Sequence, residues 1–147
     1  MSFPGATTVM APKIRGLLTS PIIRWIALLA LCAAYLQGGF DKAMDFAAAE
    51  AELARFGVTP PGPFVALTIG VELGGSFLVL SGLYRWLGAL GLAGFTLFAS
   101  LLANRFWGVA GPERIALENA FFEHIGLVGG FLLVAWQDWA AAWSASR

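Results

Sequence analysis

Four stretches of almost unbroken apolar sequence organise the chain, and polar segments separate them. The apolar stretches run over about residues 22–40, 64–83, 87–103 and 120–136. Each is close to the ~20 residues that an α-helix needs to cross the ~30 Å hydrocarbon core of a bilayer. The pattern therefore predicts an all-α fold, a four-helix transmembrane bundle with short connections.

The polar segments predict how these helices are joined. Between the first two spans, Phe46, Leu53 and Phe56 recur at helical spacing in an Ala-rich segment, which predicts a short interfacial helix ending near Gly57. Only three residues, Tyr84-Arg85-Trp86, separate the second and third spans, so these helices should be antiparallel neighbours. We expect a membrane domain over residues 21–137, a mobile cytoplasmic tail over 1–20 and a short C-terminal tail over 138–147.

Composition and charge agree with a lipid environment. The chain is 59% hydrophobic and 12% charged, with a mean hydropathy of +0.76, whereas a soluble domain is about 45–50% apolar and about 25% charged. Its net charge is zero and it has no basic block, which argues against a nucleic-acid partner. Lys13, Arg15 and Arg24 precede the first span without an opposing acid, so we expect both termini in the cytoplasm.

Ionisable residues at membrane depth are distributed unevenly. Glu72 lies near the middle of the second span, where a charged group costs at least ~2.5 kcal/mol on insertion scales and marks a functional site that needs a partner. With antiparallel spans, the polar residues gather in one half of the membrane, the periplasmic half if the termini are cytoplasmic. We therefore predict a buried polar cluster or ligand pocket, near Asp41, formed by Lys42, Glu72, Asn104, Arg105, Glu123 and His124.

The roles of these residues stay open at this point. Glu72 paired with Lys42 or Arg105 would either fix the register of two helices or handle a ligand or protons. His124 would serve as a structural hydrogen-bonding group, a proton relay or a contact for a quinone headgroup. As the sole histidine it excludes a haem held by two histidines of this chain, and Glu123 points about 100° away from it, so we expect no metal site. No motif identifies a catalytic residue.

Several short motifs occur in an order that resembles the DoxX family of small four-helix bacterial membrane proteins. They follow Arg24 and are Gly38-Gly39-Phe40-Asp41-Lys42, Phe56-Gly57-Val58-Thr59-Pro60, Glu72-Leu73-Gly74-Gly75, Ser81-Gly82-Leu83-Tyr84-Arg85, Arg105-Phe106-Trp107 and Phe122-Glu123-His124-Ile125-Gly126-Leu127-Val128-Gly129-Gly130. The resemblance covers about residues 24–136. It implies a location in the bacterial inner membrane, and it places the family's lysine, glutamate and histidine positions at Lys42, Glu72 and His124.

Some DoxX relatives are subunits of thiosulfate:quinone oxidoreductases, and others are associated with oxidative-stress complexes. Because the thiosulfate-oxidising relatives work with a second subunit and soluble parts, we do not expect this chain to be an enzyme on its own. The leading hypothesis is an accessory or quinone-interacting subunit of a membrane redox complex, with quinone as a non-covalent cofactor. The alternatives are a structural or assembly subunit that docks a larger complex, or a small-solute or proton transporter. The partners would be lipid and other membrane-complex subunits or further copies of this chain.

Overall fold

The computed structural model describes Gly16 and residues 19–145 and is built from helices. They are α1 (Pro21–Met44), α2 (Phe46–Arg55), α3 (Pro61–Ser81), α4 (Arg85–Ala103) and α5 (Pro112–Ala145), with a 3₁₀ turn at Phe106–Gly108. Four of the helices, α1, α3, α4 and α5, are long and apolar enough to cross a membrane. No strand occurs in the described residues. The prediction of an all-α four-span bundle with a short helix after the first span is confirmed, and most of the predicted N-terminal tail lies outside the described residues.

The helices begin and end where local chemistry satisfies their backbone groups. The hydroxyl of Ser20 accepts the N–H of Ile22 at 3.3 Å at the start of α1, and the carboxylate of Asp45 caps α2. Gly57, with φ +80°, follows α2, as the sequence predicts, and Gly82, with φ +82°, ends α3. Both glycines adopt the left-handed conformation that terminates helices at little steric cost.

Two helices extend well beyond the apolar runs from which they were predicted. Helix α1 continues to Met44, so Lys42 is helical and does not belong to the connection. Helix α5 includes residues 112–119 and 138–145, which were expected to be a connection and a tail. The carboxylate of Asp138 accepts the backbone N–H of Trp86 at 3.1 Å, so a tertiary contact holds the second extension. The length of an apolar run indicates how much of a helix can lie in the hydrocarbon core. It does not indicate where the helix begins and ends.

One half of the bundle is tightly packed. We call it the Arg85 end, because it contains the α3–α4 turn, and we call the opposite half the Lys42 end. At the Arg85 end α3 and α4 approach so closely that a Cβ atom added to Gly88 would lie 2.7 Å from the carbonyl oxygen of Gly75. The buried apolar cluster lies in this half and near mid-bundle: Leu28, Cys32, Tyr35, Val79, Ala89, Leu92, Ala93, Phe131 and Ala135.

The outward faces of the helices are apolar as well. Phe77, Phe98 and Leu133 are 63%, 64% and 61% exposed, and large apolar side chains are exposed on all four long helices. Soluble monomers rarely expose apolar surface continuously, whereas a bundle surrounded by lipid does so along its whole circumference. The surface thus agrees with the four predicted spans.

Candidate ligand cavity at the Lys42 end

An ion pair between α1 and α3 forms the centre of the site. The Nζ atom of Lys42 lies 3.2 Å from each carboxylate oxygen of Glu72 and also donates to the carbonyl oxygen of Gly38 at 3.2 Å. The Glu72 side chain is only 8% exposed and that of Lys42 is 27% exposed. An ammonium group has three protons, so these three contacts use all of them. Glu72 keeps further lone pairs that no group of Lys42 occupies.

Two adjacent glycines one turn before Lys42 make this pair possible. A Cβ atom on Gly39 would lie 2.8 Å from the side chain of Leu73, and one on Gly38 would lie 3.2 Å from the Nζ atom of Lys42. Because neither glycine has a side chain, α3 can approach α1 closely, and the lysine stem can bend back along its own helix. The Gly-Gly sequence therefore has a direct structural use, which is to bring the ammonium group to the depth of Glu72.

A cavity of about 570 Å³ lies beside the ion pair and takes its lining from all five helices. Its volume is within the ~300–1,000 Å³ typical of sites for small ligands. Helix α2 covers one side of it through Ala49 and Leu53, together with Phe56, the residue that follows α2. Most of the lining is apolar, and the polar lining side chains are those of Tyr35, Lys42, Glu52, Thr59, Thr68, Glu72, Thr96 and His124.

A buried hydrogen-bonded chain crosses from α1 to α4 at the inner wall of the cavity. The hydroxyls of Tyr35 and Thr96 are in contact, and the hydroxyl of Thr96 donates to the carbonyl oxygen of Leu92 at 2.6 Å. Because Thr96 has one hydroxyl proton, Tyr35 is the donor to Thr96 and keeps its own oxygen as an acceptor. Neither residue was predicted from the sequence. Tyr35 lies seven residues before Lys42, a spacing that places the two on one helix face and was the available signal.

His124 lines the same cavity from α5. Its Nδ1 atom contacts the carbonyl oxygen of Ala120, and the side-chain amide nitrogen of Asn104 lies 3.2 Å from the same ring atom. Because a carbonyl oxygen only accepts, the contact with Ala120 requires the proton of a neutral ring on Nδ1, with Nε2 as the acceptor. The Asn104 amide then pairs with the ring in its flipped orientation, with its oxygen toward Nδ1, because an NH₂ group and an N–H are both donors. Asn104 does not itself line the cavity. It contacts the hydroxyl of Ser100 and lies on the side of the histidine ring that faces away from the cavity.

Two residues of the predicted cluster lie elsewhere. Arg105 is exposed and lies beyond Asn104, the residue that caps the end of α4. Glu123 is exposed too, because adjacent residues of a helix point about 100° apart and its neighbour His124 faces inward. Neither side chain lines the cavity. The structure thus brings Lys42, Glu72 and His124 to one cavity, with Asn104 behind the histidine.

The cavity also reaches the lateral surface of the bundle. Phe64 of α3 and Phe98 of α4 both line it, and they are 45% and 64% exposed. Their rings therefore contact the cavity on one side and the surroundings of the bundle on the other. These two residues thus place part of the cavity rim on the apolar outer surface of the bundle.

Comparisons with known proteins agree with this architecture. The DoxX family profile matches residues 23–105, which include Lys42 and Glu72. The chain is 23% identical to the inner membrane protein YphA of Escherichia coli (strain K12) over 115 residues, which cover 78% of this chain and 82% of that relative. No solved structure matches the chain. This chain, with four helices long and apolar enough to cross a membrane, therefore belongs to the DoxX family.

Proposed function

We propose that this protein binds a quinone-type ligand in the cavity at the Lys42 end and acts as an accessory subunit of a membrane redox complex. One observation carries the proposal. A cavity of about 570 Å³ combines an apolar, laterally open lining with an ion pair, a tyrosine and a histidine. A quinone has the matching shape, because a polar ring is attached to an apolar tail that stays in the bilayer.

The hydrogen-bonding roles favour the reduced form of such a ligand. Glu72 has spare acceptor positions, and Tyr35 donates to Thr96 and keeps its oxygen free to accept. His124 offers Nε2 as an acceptor when its ring is neutral. The two hydroxyl groups of a quinol are donors, whereas the carbonyl oxygens of a quinone only accept. A quinol therefore satisfies more of these groups than a quinone does, and a hydrogen bond to a carboxylate is roughly twice as strong as a neutral one.

The chemistry of this chain would be binding and proton exchange. Glu72 and His124 are within the lining and would take the protons of a bound quinol, while its electrons would pass to a redox centre in a partner subunit. With both termini in the cytoplasm, the cavity lies in the periplasmic half of the membrane, so the protons would leave on that side. Catalysis is then a property of the complex, and this chain supplies the ligand site.

Photolabelling with a cavity-filling control tests the proposal. The purified full-length protein is irradiated with an azido-substituted short-chain ubiquinone, and the labelled peptides are identified by mass spectrometry. We expect label on the cavity-lining segments of α3 and α4. Ala99→Phe, which adds a ring to the cavity lining, should reduce labelling about tenfold, whereas Ala30→Phe on an exposed face of α1 should leave it unchanged.

Equal labelling of the wild type and Ala99→Phe would contradict the proposal, as would label spread evenly over the lipid-facing segments. Each variant must elute from size-exclusion chromatography as the wild type does, so that loss of fold is not read as loss of binding. Addition of excess unlabelled quinol should protect the cavity segments and leave background labelling elsewhere.

A second candidate is a structural subunit that docks a larger membrane complex, without a ligand of its own. The saturation of the Lys42 ammonium group favours it, because an ion pair satisfied within the chain is sufficient to fix α1 against α3. In that case Glu72→Gln lowers stability or co-purification of partner subunits and leaves turnover per assembled complex unchanged. In the quinone-binding case, Glu72→Gln leaves assembly intact and abolishes the redox-linked activity.

A further inference from the structure

A second, smaller cavity lies at the opposite end of the bundle and plays no part in the proposed function. Its volume is about 160 Å³, and it forms a groove between α1 and α5 beside the first residue of α4. Its polar lining side chains are those of Arg24, Arg85 and Gln137. Its apolar lining includes Ala27, Leu31 and Val134, which lie farther from the helix ends and thus deeper in the membrane.

The two arginines differ in how far the protein already satisfies them. The Nε atom of Arg85 donates to the carbonyl oxygen of Val79 at 2.8 Å, and its Nη1 atom lies 3.8 Å from a carboxylate oxygen of Asp138. The carboxylate of Asp138 also accepts a hydrogen bond from the backbone N–H of Trp86. Arg24 is exposed, and no ion pair joins it to an acid within the described part of the chain. With Asp138 included, the three charged groups sum to one positive charge.

We propose that this groove binds the phosphate of an anionic phospholipid headgroup. Arg24 and Arg85 would donate to the phosphate oxygens, for which a guanidinium group has matching geometry, and Gln137 would donate through its amide. One acyl chain would follow Ala27, Leu31 and Val134 toward mid-membrane. Basic pockets between transmembrane helices bind headgroups of this kind. The groove matches such a lipid, because its net charge is positive and its lining changes from polar near the helix ends to apolar farther in.

The test uses native mass spectrometry of the full-length protein in a detergent that carries no phosphate. Phosphatidylglycerol is titrated and the bound fraction is measured for the wild type, Arg24→Gln and Arg55→Gln. Arg55 is the matched control, because it is an exposed arginine on α2 that lines neither cavity. We expect Arg24→Gln to weaken binding about fivefold, the effect of one basic residue near a charged membrane surface, and Arg55→Gln to have no effect.

Two further arms separate a lipid from a free phosphate. Ala27→Trp obstructs the groove below the arginines, so it should abolish phosphatidylglycerol binding while Arg24 and Arg85 remain. Glycerol 3-phosphate has the same charged group without acyl chains and should not displace the lipid at equal concentration. Displacement at equal concentration, or full lipid binding by Ala27→Trp, would overturn the assignment to a lipid.

A second charge variant keeps the inference testable if Arg24→Gln fails to fold. Gln137→Glu places an anion at an exposed position of the groove and should repel the phosphate, with at least the same loss of binding. Unchanged phosphatidylglycerol binding by a folded Arg24→Gln or Gln137→Glu, or an equal loss in Arg55→Gln, would overturn the inference. Because the groove is distant from the Lys42 end, none of these results depends on quinone binding.

Discussion

The two ends of the bundle differ in the contacts that hold their helices together. At the Arg85 end, α3 and α4 meet at Gly75 and Gly88 with almost no space between them, and Trp86 packs on Trp139 with ring centroids 5.3 Å apart. At the Lys42 end the helices enclose a cavity of about 570 Å³, and an ion pair joins α1 to α3. Among the described residues, the closest helix packing, of α3 on α4, is at one end, and the most buried ion pair, beside the larger cavity, is at the other.

We infer from this difference that one end contributes mainly to stability and the other to ligand binding. Lipid is as apolar as a helix surface, so helix association in a membrane depends on van der Waals packing and polar contacts and gains little from the hydrophobic effect. The packed end supplies that stability. The Lys42 end is then free to keep a cavity whose polar groups are held in position, which is what a ligand site requires.

Filling the closest helix contact should have the largest effect. In Gly88→Leu the new Cβ atom would lie 2.7 Å from the Gly75 carbonyl oxygen and from the Cβ atom of Leu78, so α3 and α4 would have to move apart. We expect a loss of about 3 kcal/mol or more in the free energy of unfolding, measured by denaturant titration in detergent micelles. Gly91→Leu is the control on the same helix, because a Cβ atom at Gly91 meets nothing within 4 Å. Equal destabilisation by both would disprove the tight contact.

Breaking the ion pair from the lysine side should have the next largest effect. Lys42→Met leaves a carboxylate that is 8% exposed without its cation, and we expect a loss of about 2 kcal/mol, below the 3–5 kcal/mol of fully buried pairs because Lys42 is partly exposed. The double variant Lys42→Met/Glu72→Met removes the unpaired charge and should recover most of the loss in the same titration. A double variant as unstable as the single one would show that the pair does more than compensate two charges.

Removing the tyrosine hydroxyl should separate ligand binding from stability. Tyr35→Phe keeps the edge-on contact with Phe131 but deletes the donor to Thr96, so we expect a loss of only about 1 kcal/mol in the free energy of unfolding. The affinity for a short-chain quinol, measured by isothermal titration calorimetry, should fall by about fivefold. Thr96→Val, which removes the acceptor but leaves the Tyr35 hydroxyl in the cavity, should weaken binding less. Unchanged affinity in Tyr35→Phe would remove this residue from the site.

The smallest effect is expected at the polar contact of the packed end. Asp138→Asn removes an ion pair whose atoms are 3.8 Å apart and keeps an oxygen that accepts the backbone N–H of Trp86. The pair is partly exposed, so the free energy of unfolding should fall by less than about 1 kcal/mol. Asp138→Leu, which also loses the acceptor, should cost more. If Asp138→Asn is the more destabilising of the two, the charge and not the hydrogen bond holds the extension of α5.

Much of the fold follows from the sequence because lipid imposes a simple rule on it. Apolar runs of helical length predict the four spans, and the cost of a carboxylate at membrane depth identifies Glu72 and requires a partner such as Lys42. The short helix after α1 follows from an amphipathic stripe and a terminating glycine. In each case a local pattern is sufficient, because the physical constraint acts on one segment at a time.

The cavity could not be predicted in this way, because it depends on how far the helices stand apart. Tyr35 and Thr96 look like ordinary span residues, and only the crossing of α1 and α4 brings their hydroxyls together. Arg105 and Glu123 were expected in the cluster because they share its depth, but depth does not fix the direction of a side chain. Adjacent residues of a helix point about 100° apart, so His124 faces the cavity and its neighbour Glu123 does not.

Quinol binding at Glu72 is tested by comparing the affinity of the cavity for the two redox forms of one ligand. Reduced and oxidised short-chain ubiquinone are titrated anaerobically into the wild type and Glu72→Gln by calorimetry. We expect the wild type to bind the quinol about tenfold more tightly, because the carboxylate of Glu72 accepts a hydrogen bond from a quinol hydroxyl. Glu72→Gln should lose that preference, since its amide offers a donor to a quinone carbonyl. Equal affinity for the two forms in the wild type, or an unchanged preference in Glu72→Gln, would contradict quinol binding at Glu72.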